Sequence, residues 1–495
     1  MRKGLTRAAV AAISMMAAVS MAAPSDDAKH WQAMARADLD AVHAHVVAAH
    51  PGVIDSANPG FNTWVEQGYR EAKAFVPHVV SYDTAMAVMR YYTAGFEDGH
   101  FVYSDDVRRN FPVLVTGWNI DWQDDRYLVV AALPEWSVPL PPVGAVWTGC
   151  DGMSAEVVLQ TKVAPFIDRR PGVASHRSRV MELWKRRPVA DDLVECSFVT
   201  PTGDSLRLAV AYQPITLEQF FAAMPEQRDG GARAVNAFEL QDGLLWVRAG
   251  NFSLRPGSPD LRELETMLAR LNDVRDIRAI VFDARGNRGG DSSIGDRIFE
   301  AATGGLEFDQ TDLDSLPRYF AQWRVSDFLM RFLDSGIAEN TRLYGAESPR
   351  VTEEVAFRDE VLAAKADGRP WVEQLAGRTI TRAAVAARNG RLRRVDAKIA
   401  LLTDSGCVSA CLDFADLVLQ VPGVVHAGQT TGADSVYMVG SRSRMPSGNH
   451  VVMPVKVWRN RTRGNNEALV PTVPIDLAAK EFMIRTNVRR ALGLD

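Results

Sequence analysis

The chain has 495 residues, 47% hydrophobic and 24% charged, which is enough for two to four globular domains and excludes a collagen, a coiled coil or a wholly disordered chain. Lys and Arg number 56 against 61 Asp and Glu, a net charge of −5. A surface of that sign gives no support for nucleic-acid binding, whose affinity comes largely from neutralising phosphates.

At the amino end Arg2, Lys3 and Arg7 precede the apolar run AAVAAISMMAAVSMAA, with a small-residue site near Ser20, Met21 and Ala22. That is the anatomy of a secretory signal peptide over 1–22, too short to remain as a membrane span. Its removal takes three of the 56 basic residues and leaves 53 against 61 acidic, or −8. No cysteine follows the run to carry a lipid, and no later stretch reaches ~18 uninterrupted apolar residues. The sequence reads as a soluble exported protein, periplasmic or secreted.

Residues 23–110 form the next unit, with apolar positions at helical spacing in HWQAMARADLDAVHAHVVAAH and in YDTAMAVMRYYTAGF. The Pro, Gly and Asn signals of HPGVIDSANPGF separate them. His43, His45 and His50 lack a carboxylate or cysteine to complete a metal set and read as surface or capping residues. From 111 to 227 short strand-like runs (FPVLVTGWNI, RYLVVAAL, GAVWTGCDG, LVECSFVTP, SLRLAVAYQP) predict a β-rich module, followed by a linker at 228–234. Cys150 and Cys196 lie in two of those runs and can pair in an oxidising compartment, which their spacing leaves undecided.

From 235 to 490 strands and helices alternate, as in GLLWVRAGNF, DLRELETMLARL and IRAIVFDA, which predicts an α/β core. Polar, helix-like material over 303–396 interrupts the rhythm and reads as a helical insertion, for which a lid and an oligomer contact are the candidate roles. The alternation resumes at KIALLT (398–403) and runs into DSGCVSACLDFAD (404–416).

Ser409 opens a helix-like run in which Cys411, Phe414, Ala415 and Val418 share a face. A nucleophile there gains from free backbone N–H groups and the helix dipole, although serine is also an ordinary helix cap. The loop RGNRGG (285–290), directly after a buried strand, frees amides for an oxyanion hole and lacks the lysine of a phosphate loop. A serine hydroxyl needs a base, for which histidine is best suited, and a carboxylate on the far ring nitrogen fixes its tautomer.

VFDARGNRGGD paired with LLTDSGCVSACLDFADLV and VVHAGQTTG resembles the carboxy-terminal-processing and tricorn-core family of serine peptidases. The resemblance covers about 235–480, and it implies a crotonase-like core. VGAVWTGCDGMSAEVVLQ is similar to the carboxylate-loop region of a PDZ-like module, and EDGHF resembles the Asp-Gly-His turn of that family. The processing branch uses a lysine about 25 residues after its serine, but position 434 is Asp434 and the first lysine beyond is Lys456. The tricorn-like branch instead implies His100 as base and Glu467 in RTRGNNEALVP as orienting acid, although its second serine is replaced by Gly99. Asp98 and Asp413 are rival acids.

The sequence reading is therefore an exported serine peptidase acting on peptides or proteins, with Ser409, His100 and Glu467 as triad. Gly289 or Gly290 and Ala410 supply the oxyanion amides, and the chemistry calls for no metal or cofactor. The PDZ-like segment would take a peptide end by strand addition. Cys407 and Cys411 read as small packing residues at the turn. A non-catalytic ligand-binding protein on the same fold, or an esterase, is the alternative. Substrate preference and oligomeric state are not legible.

Overall fold

The computed structural model describes residues 26–104, 113–123, 125–186, 192–216, 218–219 and 235–494. The predicted signal peptide at 1–22 and the predicted linker at 228–234 lie outside the described residues. Among the described residues no helix is long and apolar enough to cross a membrane.

The core is a sheet in the order 236–241, 244–249, 279–283, 398–403, 425–428 and 473–474. Its first pair is antiparallel and every later pair parallel. Side chains alternate across such a sheet. Leu245, Ile280, Phe282, Ile399 and Leu401 pack on one face against Leu264, Ile298, Phe414 and Val418. Trp246, Val281, Ala400 and Leu402 pack on the other against Ile484 and Val488 of the helix Glu481–Ala491. Burial on both faces explains why AIVFD and IALLT read as unbroken apolar runs.

The strands Ala279–Asp283 and Lys398–Thr403 are parallel neighbours, with Asp283 opposite Leu402. Both therefore end at the same edge of the sheet, where open α/β sheets hold their sites. RGNRGG leaves one strand and DSGCVS the other, so sequence-distant motifs meet by topology alone.

A second, antiparallel sheet joins 102–104, 450–459, 318–324, 371–378 and 437–444. Val102 opposite Val452 fixes the turn that precedes it, EDGHF, against the core. The helices Asp26–Ala49, Phe61–Phe75 and Tyr82–Ala94 cover this sheet through Leu39, Val42, Val65 and Met89, which pack with Val455 and Val457. The segment 303–396 is not wholly helical. Its helices Asp327–Tyr344 and Pro349–Ala366 stand between the strands Arg318–Arg324 and Trp371–Arg378, which complete the second sheet. Pairing of RYFAQWR with the strand His450–Arg459 overrides the polar look of that stretch, because Ala321 and Trp323 face the core.

The predicted β-rich module forms a sheet of strands 118–123, 126–132, 146–150, 195–199 and 205–209 beside the helix Val173–Leu183. Cys150 and Cys196 are direct cross-strand partners and form a disulfide. Cys407 and Cys411 are also joined, so they are more than packing residues. The turn that leads into the helix at Ala410 brings the two Cα atoms to 5.3 Å, within disulfide reach.

Candidate active site

Ser409 stands immediately before the helix Ala410–Leu419, with φ 55° and ψ −126°. Few L-residues adopt such a backbone, and strain of this kind persists only where the surroundings enforce it. The Ser409 side chain does not cap the helix, and among the described residues it makes no hydrogen bond. Its hydroxyl is thus committed to no structural role, in the geometry of a strand-to-helix nucleophile elbow.

The glycine loop is held against this turn by a carboxylate the sequence reading missed. Buried Asp404 accepts the Gly286 N–H (2.7 Å) through one oxygen and the Gly406 N–H (2.8 Å) through the other. Asn287 donates through Nδ2 to Ala249 O (2.7 Å) and accepts the Gly289 N–H (2.8 Å). Gly289 is pressed so close that a Cβ there would lie 2.8 Å from Ser409 Cβ. Its N–H is committed to Asn287, so of the three predicted oxyanion donors Gly290 and Ala410 are the ones with no hydrogen bond among the described residues. Ala410 is the first helical residue, where the N–H has no intrahelical acceptor.

His100 follows an Asx turn in which Asp98 Oδ1 accepts its backbone N–H (2.8 Å). The same oxygen lies 3.6 Å from His100 Nδ1, and the Asp98 side chain is 1% exposed. His100 Nδ1, Asp98 Oδ2 and Asp434 Oδ2 are all buried without a hydrogen-bond partner among the described residues. Burial alone lowers the His100 pKa, but Asp98, helped by the charge of Asp434, outweighs it and holds the ring above its ordinary value. Burial raises the Asp98 pKa, but its contacts with His100 outweigh that and keep it below the usual carboxylate range.

The segment 431–434 connects the two halves. The Gly432 N–H donates to Cys407 O (3.0 Å). Asp434, where the processing branch has lysine, receives Arg461 (3.0 Å) and Arg463. Arg170 reaches from the β module to Ala433 O (2.8 Å) while paired with Asp168 (2.9 Å).

Glu467 lies in the adjoining loop, tied to the histidine turn because Asn466 donates to Glu97 O (2.7 Å). Its own carboxylate is exposed and accepts the Gly464 N–H (2.6 Å). Asp98, not Glu467, is the carboxylate beside His100 here. Asp413 is engaged by Ser292 Oγ (2.7 Å) and Arg463 (3.3 Å). Lys456 lies on the second sheet, its ammonium 4.6 Å and 4.4 Å from the Trp323 and Trp458 ring centres, and burial pulls its pKa down to about 8. His50 is fully buried, accepts the Gly52 N–H (3.0 Å) and caps the turn Pro51–Ile54.

Residues 250–475 match the family model for peptidase family S41. No curated protein matches the chain by sequence. The fold is similar to the crystal structure of mature CPAF, with a TM-score of 0.59, 12% identity, and coverage of 94% of this chain and 99% of that one. A CPAF serine-to-alanine mutant gives a TM-score of 0.62 at 11% identity, again over 94% of this chain and 99% of that one. At these identities the likeness speaks for the fold. The match spans just under half of the chain, and through this 250–475 core the chain is similar to peptidase family S41, which supports a serine-type peptidase.

Proposed function

We infer that the chain is an exported peptidase that cleaves peptide bonds through an acyl-enzyme on Ser409. The observation that carries this is the strained backbone of Ser409 at a helix start, with an uncommitted hydroxyl, the Ala410 amide beside it and the glycine loop packed against the same turn through Gly289. In this reading Ser409 Oγ attacks the scissile carbonyl carbon while His100 Nε2 takes its proton. The Gly290 and Ala410 N–H groups receive the oxyanion, a contribution worth about 3–4 kcal/mol for one good donor. His100 returns the proton to the leaving amine, and water then releases the acyl group by the reverse sequence.

A carboxylate must face His100 Nδ1 to hold the tautomer. The 3.6 Å approach of Asp98 supports Asp98 in that role, while Glu467, to which the family resemblance points, has one carboxylate oxygen engaged by the Gly464 N–H. Export is supported by the amino-terminal signal and by two disulfides, which persist in oxidising compartments. The core is read as crotonase-like and the β module as PDZ-like, a receiver of peptide ends.

Hydrolysis of an unstructured protein such as casein tests the reading. Wild type should cleave it, and Ser409→Ala and His100→Ala should be folded but silent. Cleavage that survives Ser409→Ala would place the nucleophile elsewhere.

A further inference from the structure

Cys407 and Cys411 stand two positions either side of Ser409, and both are fully buried. A four-residue stretch of free chain reaches roughly 13 Å. The disulfide holds its ends at 5.3 Å across the one residue whose backbone is strained, at φ 55°.

The other contacts hold the flanks of Ser409. Asp404 anchors Gly406, Gly432 anchors the Cys407 carbonyl, and the helix begins with the Leu412 N–H on Ser409 O (2.8 Å). The Cys411 N–H also crosses Ser409 to reach Val408 O (3.1 Å), and the disulfide adds a covalent tie over the same residue. A bridge across four residues restrains the unfolded chain less than one across 46, such as Cys150–Cys196. Its effect is local, on the turn it closes.

We propose that the Cys407–Cys411 disulfide is a positioning device that holds the Ser409 elbow, so that oxidation of this pair switches the peptidase on. The proposal rests on Ser409 being the nucleophile. In the switching step a disulfide oxidant is reduced to two thiols as the Cys407–Cys411 bond forms, taking two electrons and two protons from the pair. With the bond open, the turn relaxes to an ordinary backbone and Oγ leaves the Gly290 and Ala410 amides. The chain then stays silent in a reducing compartment and becomes active after export.

The test compares the rate constant of fluorophosphonate labelling in wild type, Cys407→Ala/Cys411→Ala and Cys150→Ala/Cys196→Ala, with kcat and KM on one peptide substrate. The turn variant should label about tenfold or more slowly, with kcat reduced and KM nearly unchanged, as expected for a misplaced reacting atom. The module variant should lose thermal stability and keep its labelling rate. In that background dithiothreitol opens only Cys407–Cys411, and reoxidation with glutathione disulfide should restore the rate, which guards against a turn variant that does not fold. Equal labelling with the bond open and closed overturns the proposal while leaving Ser409 as nucleophile. A wild type that never labels overturns both.

Discussion

Replacing Gly289 with alanine probes the elbow without replacing a reacting group. The new Cβ would lie 2.8 Å from Ser409 Cβ and from Val408 O, and 3.2 Å from Ala410 N. Ordinary contact begins near 3.4 Å, so Ser409 or the loop must retreat by the difference, 0.6 Å. Alanine at φ 89° adds about 1–2 kcal/mol of backbone strain. A misplacement on the order of 1 Å costs about 100-fold in rate, so Gly289→Ala should lose roughly 10- to 100-fold in kcat. Steady-state kinetics on a fluorogenic peptide, beside a melting curve, reads both effects. A Gly289→Ala enzyme with wild-type kcat would refute the packing of this glycine on the nucleophile.

Three further outcomes follow from the charges around the site. His100 must be neutral to act as base, so activity rises with pH through a pKa held up by Asp98; Asp98→Asn should shift that inflection to lower pH and cut kcat more than Glu467→Gln does, which a pH–rate profile of the three enzymes checks. Lys456 has a folded pKa of about 8 against 10.5 unfolded, so its burial costs stability below pH 8 and that cost fades as pH rises to 10.5. Lys456→Met should therefore stabilise the protein by about 2–3 kcal/mol at pH 7, with the gain shrinking above pH 8 in denaturant titrations at several pH values. Asp404→Ala leaves two buried N–H groups unpaired and should cost about 3 kcal/mol, seen as a lowered melting temperature, together with most of the activity.

What the sequence disclosed depended on how local each signal was. Ser409 and the glycine loop were legible because each sits at the end of an apolar strand, and parallel pairing of those strands brings the loops together. His100 was reachable only through the family resemblance, since its approach to the core depends on the pairing of Val102 with Val452. Asp98 was visible as a rival to Glu467, but the direction of a loop carboxylate is set by which N–H it finds, and Glu467 finds Gly464. Asp404 was overlooked although it adjoins the motif, because one of its two acceptor roles serves a residue 118 positions away. The strands Arg318–Arg324 and Trp371–Arg378 were hidden in helix-like surroundings, since the first pairs with a strand beyond Ser409 in the chain and the second pairs with the first across two helices. Both disulfides depend on strand register or turn geometry, which spacing does not reveal.

The central claim, an activated serine at 409, is tested most directly by treating the purified protein with a fluorophosphonate and mapping the adduct by peptide mass. A single adduct on Ser409 is expected, absent from Ser409→Ala and slower by about 100-fold or more in His100→Ala. Labelling that survives Ser409→Ala, or a folded wild type that takes no adduct, would contradict it.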